Sequence, residues 1–338
     1  MSYTIRIEPT GHTFTALPEE TLLEAALRSG ININYNCSNG SCGDCKARLL
    51  AGEVEASPSD YRFSAREKSE GYLLLCTARA ASDLVIAAQE ARTSKDIPLQ
   101  RITTRVAKIE APGEAIRLLH LRTPRTRTLR FLAGQHARLW FPGEAAIDAP
   151  LAGCPCNGMQ LQFHLRRQAG SPFIERLFGE LKSGDTVELE GPFGEITLDD
   201  DARRPLLMVA VGEAFAAVKS LIEHAINLDF REPVRLFWLA DPAIGHYLEN
   251  HCRSWNEVLD DYRFVPLTSA GEEPDETAIR RLLDAIAGES PELAACDIYI
   301  AGPPAFQRAL HQRLVDGGAE ADRVFMPRRR ARLSEAGA

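Results

Sequence analysis

The stretch "CSNGSCGDC", residues 37–45, puts three cysteines into nine positions of a 338-residue chain that has only 8. Cys37, Cys42 and Cys45 follow the spacing C-x4-C-x2-C, and 30 residues separate Cys45 from Cys76. A loop that presents three thiolates at once must wrap its backbone closely, and Ser38, Asn39, Gly40, Ser41 and Gly43 are the small or permissive residues this needs. The chain begins "MSYTIRIEPTGHTF", without the charged-then-apolar pattern of a secretion signal, and no run of 18 apolar residues occurs. A cytoplasmic protein is therefore expected, and clustered cysteines there signal metal or catalysis more than disulfides.

The spacing separates the metals. A zinc site calls for paired C-x2-C knuckles or histidines, and the nearest histidine is His12. C-x4-C-x2-C with a distant fourth cysteine is the ligand pattern of plant-type [2Fe–2S] clusters, so Cys37, Cys42, Cys45 and Cys76 are the expected metal ligands. The flanks agree. "YTIRIE" (3–8) and "HTFTAL" (12–17) alternate around Pro9-Thr10-Gly11 like a hairpin. Thr21 and Glu24 form a capping box ahead of an apolar stripe ending near Ser29, and "KARLL" (46–50) reads as a strand. Over residues 1–92 the chain resembles the β-grasp ferredoxins. Tyr35 and Asp44, beside the loop, are expected to be packing and surface residues.

A chain of this length is too long for one ordinary core. Residues 88–100 lose periodicity and read as a linker. Alternating segments follow at 102–110, 115–123, 134–142, 159–167 and 185–194, separated by Gly/Pro turns, with a helix over 172–181; this predicts an antiparallel barrel over 100–200. From residue 203 the rhythm changes. Leu206–Val211 is uniformly apolar, as in a buried parallel strand, and helical and apolar segments then alternate to residue 326, which predicts a doubly wound α/β domain. Residues 327–338, opening with the basic run "PRRRAR", are expected to be a solvated tail. The net charge of −8 is spread along the chain, with 10 Lys+Arg against 12 Asp+Glu in residues 1–95, so no nucleic-acid face is indicated.

The landmarks "GQHARLWFP", "LKSGDTVELEGPFG", "RPLLMVAVG" and "AGPPAF" make residues 100–326 resemble the ferredoxin–NAD(P)H reductase superfamily. With the N-terminal module, the chain is similar to the three-module reductases that feed oxygenases and dehydratases. That resemblance implies FAD on the barrel, NAD(P)H on the α/β domain, and a cluster that passes electrons singly to a partner.

The residues that would hold those two cofactors depart from the family pattern. Where the family has Arg-x-Tyr-Ser, this chain reads Ile147-Asp148-Ala149-Pro150, without guanidinium, aromatic plane or hydroxyl. Ile174 stands where a hydroxyl residue is expected at the start of the barrel helix, with Ser171 as the nearest substitute. The Gly-Gly-Thr-Gly-x-Ala-Pro loop is Val211-Gly212-Glu213-Ala214-Phe215-Ala216-Ala217, where Glu213 sets a negative charge at a phosphate-type helix start. The Cys-Gly-Pro contact is Ala301-Gly302-Pro303. Gly212, Gly302 and Pro303 remain as the nicotinamide-site candidates, and no catalytic residue is named. The sequence therefore predicts an electron-transfer protein in which ordinary FAD and NAD(P)H use is lost and an external reductase supplies electrons. Two alternatives stand beside it: a complete FAD-containing NAD(P)H:acceptor reductase, and a redox-sensing regulator. Cys154 and Cys156, a lone C-x-C, read as structural thiols, since two ligands do not close a metal site. Cys252 and Cys296 read as packed, the three tryptophans as core, and His246 and His251 as surface helix residues.

Overall fold

The computed structural model describes residues 2–289 and 292–326. The basic tail expected at 327–338 lies outside the described residues.

The N-terminal sheet grows from local signals. β1 (Tyr3–Glu8) and β2 (Thr13–Ala16) form the hairpin, with Ile5, Ile7, Phe14 and Ala16 facing inward. The capping box is realised: the Thr21 hydroxyl accepts from the Glu24 amide and the Glu24 carboxylate accepts from the Thr21 amide, starting α1 (Leu22–Arg28). β3 (Lys46–Ala51), a ribbon of β4 (Val54–Ala56) with β6 (Ala78–Ala80), α2 (Ala65–Ser69), β5 (Tyr72–Leu74) and β7 (Leu84–Ala87) complete the module. The sheet order is β2-β1-β7-β3-β5, with β1 and β7 parallel. α1 buries Leu22, Leu23, Ala25 and Ala26 against it.

The second sheet is antiparallel throughout. It comprises β8 (Gln100–Glu110), β9 (Ile116–Arg122), β10 (His136–Trp140), β11 (Ile147–Pro150), β12 (Gln160–Arg166) and β13 (Thr186–Phe193), ordered β11-β10-β13-β8-β9-β12. Its two edge strands approach each other, and the Ala152 amide donates to the Gln162 carbonyl at 2.8 Å across the gap, so the sheet nearly closes into a barrel. α3 (Pro172–Gly179) caps it, burying Phe173, Ile174 and Leu177.

The third sheet is parallel, ordered β16-β15-β14-β17-β18: β14 (Leu206–Val211), β15 (Val234–Ala240), β16 (Tyr262–Thr268), β17 (Asp297–Ala301) and β18 (Val324–Phe325). α4 (Phe215–Asn227), α5 (Glu249–Ser254), α6 (Glu276–Glu289) and α7 (Pro304–Asp316) connect the strands. All six residues of β14 are buried, which is why that strand is apolar without alternation. The strand order reverses direction at β14, so the crevice beyond its carboxyl end, at Val211–Glu213, is the topological switch point where such sheets take ligands.

Contacts at several places bind the ferredoxin-like module to the rest. His12 bridges Glu90 (Nδ1–Oε2, 2.8 Å) and Asp201 (Nε2–Oδ1, 2.8 Å), and Arg92 pairs with Asp201. The Thr128 hydroxyl donates to the Asn36 carbonyl at 3.1 Å, and the Arg130 guanidinium donates to the Asn34 side chain. Gly30, at the end of α1, lies so close to Leu228 that a Cβ there would meet its Cδ2 at 2.7 Å.

Candidate functional site

The loop after α1 brings the four predicted cysteines together. Cys37, Cys45 and Cys76 are buried and Cys42 is half-buried, and none of the four is in a disulfide. The amides of Ser41 and Cys42 each donate to Cys37 Sγ at 3.4 Å, and the Asp44 amide donates to Cys42 Sγ at 3.4 Å. Burial opposes ionisation of Cys37, yet these hydrogen bonds push its thiol down to about 6, so the loop favours a thiolate there.

The wrapping depends on two glycines at positive φ. Gly43 (φ +86°) faces Tyr61, whose Cε2 would lie 2.2 Å from a Cβ; Gly40 (φ +79°) faces Ser59 and Thr77, each 2.8 Å from one. Four sulfurs, inward-pointing amides and a backbone too close for side chains fit a thiolate-held iron–sulfur cluster. Tyr35 is buried, with its hydroxyl at Gly158 of the barrel, and Asp44 is exposed. Ser38, Asn39 and Ser41 are also exposed, so one face of the loop meets solvent.

At the flavin-type position, Ile147–Pro150 forms β11, a strand that sequence periodicity did not reveal. Its Asp148 side chain pairs with Arg138 on β10 at 2.9 Å. The following residues are covered by protein. Lys219 Nζ, on α4, donates to the Ala152 carbonyl at 3.1 Å and to Glu223 at 2.6 Å, while the Ser220 hydroxyl donates to the Gly153 carbonyl at 2.8 Å. Ile174 sits in the barrel core, and Ser171 precedes α3 without capping it. The chain thus offers no guanidinium, aromatic plane or hydroxyl at 147–150 to hold a flavin in the expected manner.

The crevice at the switch point holds carboxylates. Arg166, on β12, bonds Asp241 with two nitrogens (2.6 and 3.1 Å) and Glu272 at 2.9 Å, with Glu213 4.0 Å away. Sequence reasoning named Glu213 but missed Asp241 and Glu272. Only the fold places the ends of β15 and β16 beside the β14 loop. Gly212 turns there at φ +56°, and Phe215 stacks on Trp238 with ring centroids 4.0 Å apart. Gly302 packs so tightly on Val211 that a Cβ would fall 2.9 Å from it, and Pro303 precedes α7. A phosphate entering this crevice would face three carboxylates and one already paired guanidinium.

Cys252 and Cys296 are buried as expected. Trp238 and Trp255 are core residues, while Trp140 is half-buried under Arg101. His246 departs from the surface-helix expectation: it lies in the turn after β15 and bonds the Trp238 carbonyl at 2.9 Å. No helix among the described residues is long and apolar enough to cross a membrane.

The sequence model of the 2Fe-2S iron-sulfur cluster binding domain matches residues 5–81, and that of the oxidoreductase NAD-binding domain matches residues 208–312. The chain is 30% identical over 319 residues to reductase component 2 of terephthalate 1,2-dioxygenase from Comamonas sp., covering 94% of each protein. It is 28% identical over 325 residues to the CDP-6-deoxy-L-threo-D-glycero-4-hexulose-3-dehydrase reductase of Yersinia pseudotuberculosis, covering 96% of this chain and 98% of that one. Among solved structures, a cytochrome P450 reductase from Amycolatopsis superposes with a TM-score of 0.61 at 27% identity, covering 96% and 98%.

Proposed function

The chain belongs to the ferredoxin reductase-type reductases of oxygenases and dehydratases, and from that premise we propose that it passes single electrons through a [2Fe–2S] cluster to a partner redox enzyme. The observation that carries this reading is the glycine-wrapped loop that presents Cys37, Cys42 and Cys45, with backbone amides aimed at Cys37 and Cys42 sulfur and Cys76 supplied from the turn after β5.

When bound, such a cluster takes up and gives back one electron at a time. The chain's own residues do the rest. The amides of Ser41, Cys42 and Asp44 place positive dipoles against the sulfurs and so favour the more negative state. Buried Cys37, Cys45 and Cys76 keep water from most of the site. The exposed face at Ser38, Asn39, Ser41 and Asp44 is where a partner comes within transfer distance.

Two sources of the electrons are in play. The relatives support the complete NAD(P)H-dependent reductase: this chain aligns with 94–98% of their length, and each is named as a reductase. They weigh against reading the C-terminal half as a silent scaffold. The residues at 147–153 and around Arg166 support the other source, an external donor, because the expected flavin and phosphate contacts are replaced by an Asp148–Arg138 pair, a Lys219 contact and an acidic crevice. One experiment separates them: a visible spectrum of the protein purified without added cofactor, then acid release and fluorescence assay for flavin. Cluster absorption with one flavin per chain, and reduction by NADH or NADPH, supports the complete reductase. Cluster absorption without flavin, and reduction only by an added reductase, supports the external donor. No cluster absorption after anaerobic purification would sink the electron-transfer reading itself.

A further inference from the structure

The turn between β11 and β12 carries Cys154-Pro155-Cys156, which the electron-transfer reading leaves unused. Cys154 stands at the start of a 3-10 turn over Pro155–Asn157, and its sulfur accepts the Cys156 amide at 3.3 Å. Asn227, at the end of α4, donates from the same Nδ2 to both sulfurs, 2.9 Å to Cys154 and 3.3 Å to Cys156. One nitrogen reaching both sulfurs places them side by side. Residues two apart in a tight turn fall within the Cα separation of about 4.4–6.8 Å that a disulfide tolerates.

The two thiols are unequal. The bond from Cys154 lowers Cys156 against the opposing effect of burial, while that bond together with burial raises Cys154. Such an arrangement gives an attacking thiolate and a resolving thiol. Cys154 also lines a cleft of about 460 Å³ with Glu223, Asn227, His251, Trp255 and Val258, and Cys156, outside that lining, is itself only half-buried. The turn lies at the junction of all three modules. It touches α1 and α4, and the buried Tyr35 hydroxyl lies at Gly158, two residues past Cys156.

We propose that Cys154 and Cys156 form a reversible redox dithiol whose substrates are low-molecular-weight disulfides. Cys156 thiolate attacks one sulfur of RSSR, forming a mixed disulfide and releasing RS⁻. Cys154, giving up its proton, then attacks Cys156 Sγ and expels the second RS⁻. Counted from the dithiol, the protein loses two electrons and two protons, one on ionisation of Cys156 and one from Cys154, and RSSR gains them as two RSH. The small ring makes this a labile bond, of the regulatory rather than the structural kind. The proposal is independent of where the cluster's electrons come from.

The test uses the full-length, cluster-loaded protein in anaerobic buffers of graded oxidised and reduced glutathione, followed by acid quench, alkylation of the denatured protein and trypsin digestion. The peptide Leu139–Arg166 contains these two cysteines and no others. The expected result is conversion of this peptide from doubly alkylated to unalkylated and internally bridged, reversed by reduced glutathione, while Cys252 and Cys296 stay alkylated. Asn227→Ala should move the midpoint several-fold toward lower oxidised glutathione, because the amide stabilises the reduced thiolate. In Cys154→Ser the bridge should be absent and Cys156 should stop at the mixed disulfide. Continued double alkylation across the whole range, or separate mixed disulfides on both cysteines of the unmutated protein, would overturn the proposal.

Discussion

Replacing Lys219 by Met tests whether α4 is clamped onto the barrel as described. The ammonium is buried, with 7% of its side chain exposed, and it bonds the Ala152 carbonyl and Glu223. Met keeps the length of the apolar stem and removes the charge. The lost bond to the carbonyl is worth about 0.5–1.5 kcal/mol. Glu223, whose side chain is 22% exposed, then keeps His251 at 3.3 Å. Breaking a fully buried pair costs about 3–5 kcal/mol, and partial solvent access reduces that to about 1.5–2.5 kcal/mol here. The total of about 2–4 kcal/mol corresponds to a fall of roughly 4–16 °C in the melting temperature of a unit this size. Tryptophan fluorescence is the assay: the three tryptophans, Trp140, Trp238 and Trp255, all lie outside the ferredoxin-like module, so it reads the reductase half while visible absorbance reads the cluster. Because most of the cost is a stranded carboxylate, adding Glu223→Gln should restore at least half of it. A loss below about 0.5 kcal/mol, or a double variant as poor as the sum of the singles, would refute the clamp.

Gly43→Ala should lower cluster content sharply, since the alanine combines positive-φ strain of about 1–2 kcal/mol with a collision on Tyr61. Gly143→Ala has the same sign of φ (+84°) and nothing within 4 Å, so it should show the strain alone and leave the cluster absorbance intact; equal behaviour of the two would discredit the cradle. Acid should loosen the same seam through Glu223. Burial opposes its ionisation, but His251 and Lys219 hold its carboxyl below the ordinary 4.5. A lowered folded-state value means the stabilisation is complete above about 4.5 and is lost as pH falls below it. The denaturation midpoint by tryptophan fluorescence should therefore drop below that pH in the unmutated protein and drop less in Glu223→Gln; identical slopes would count against the assignment.

The layered architecture was legible because each element carried its own period. The β1–β2 alternation, the Thr21–Glu24 box and the unbroken apolar run of β14 are local statements, and the fold obeys them. The cysteine loop was legible for the same reason: three of its four sulfurs lie within nine residues. What stayed hidden was pairing between distant segments. Ile147–Pro150 has no alternation to mark it as a strand, and only its ladder with β10 makes it one. Asp241, Glu272 and Arg166 are separated by tens of residues and meet only because three strand ends converge. His246 was misplaced because a turn, rather than α5, carries it. The substitutions at 147–150 and 211–217 were visible at once, but the end-to-end relatives weigh against the inference that the reductase activity went with them.

The contacts of Asn34, Asn36, His12 and Arg92 with the barrel and Asp201 have a kinetic meaning. A ferredoxin module on a free tether works as a shuttle, swinging between donor and acceptor. On the proposed electron-transfer reading, this one, anchored immediately before Cys37 and again at its far hairpin, works as a stationary relay. Its acceptor must come to it and read the assembled body, so recognition extends beyond the cysteine loop to the neighbouring modules, and loosening the anchor would exchange selectivity for reach.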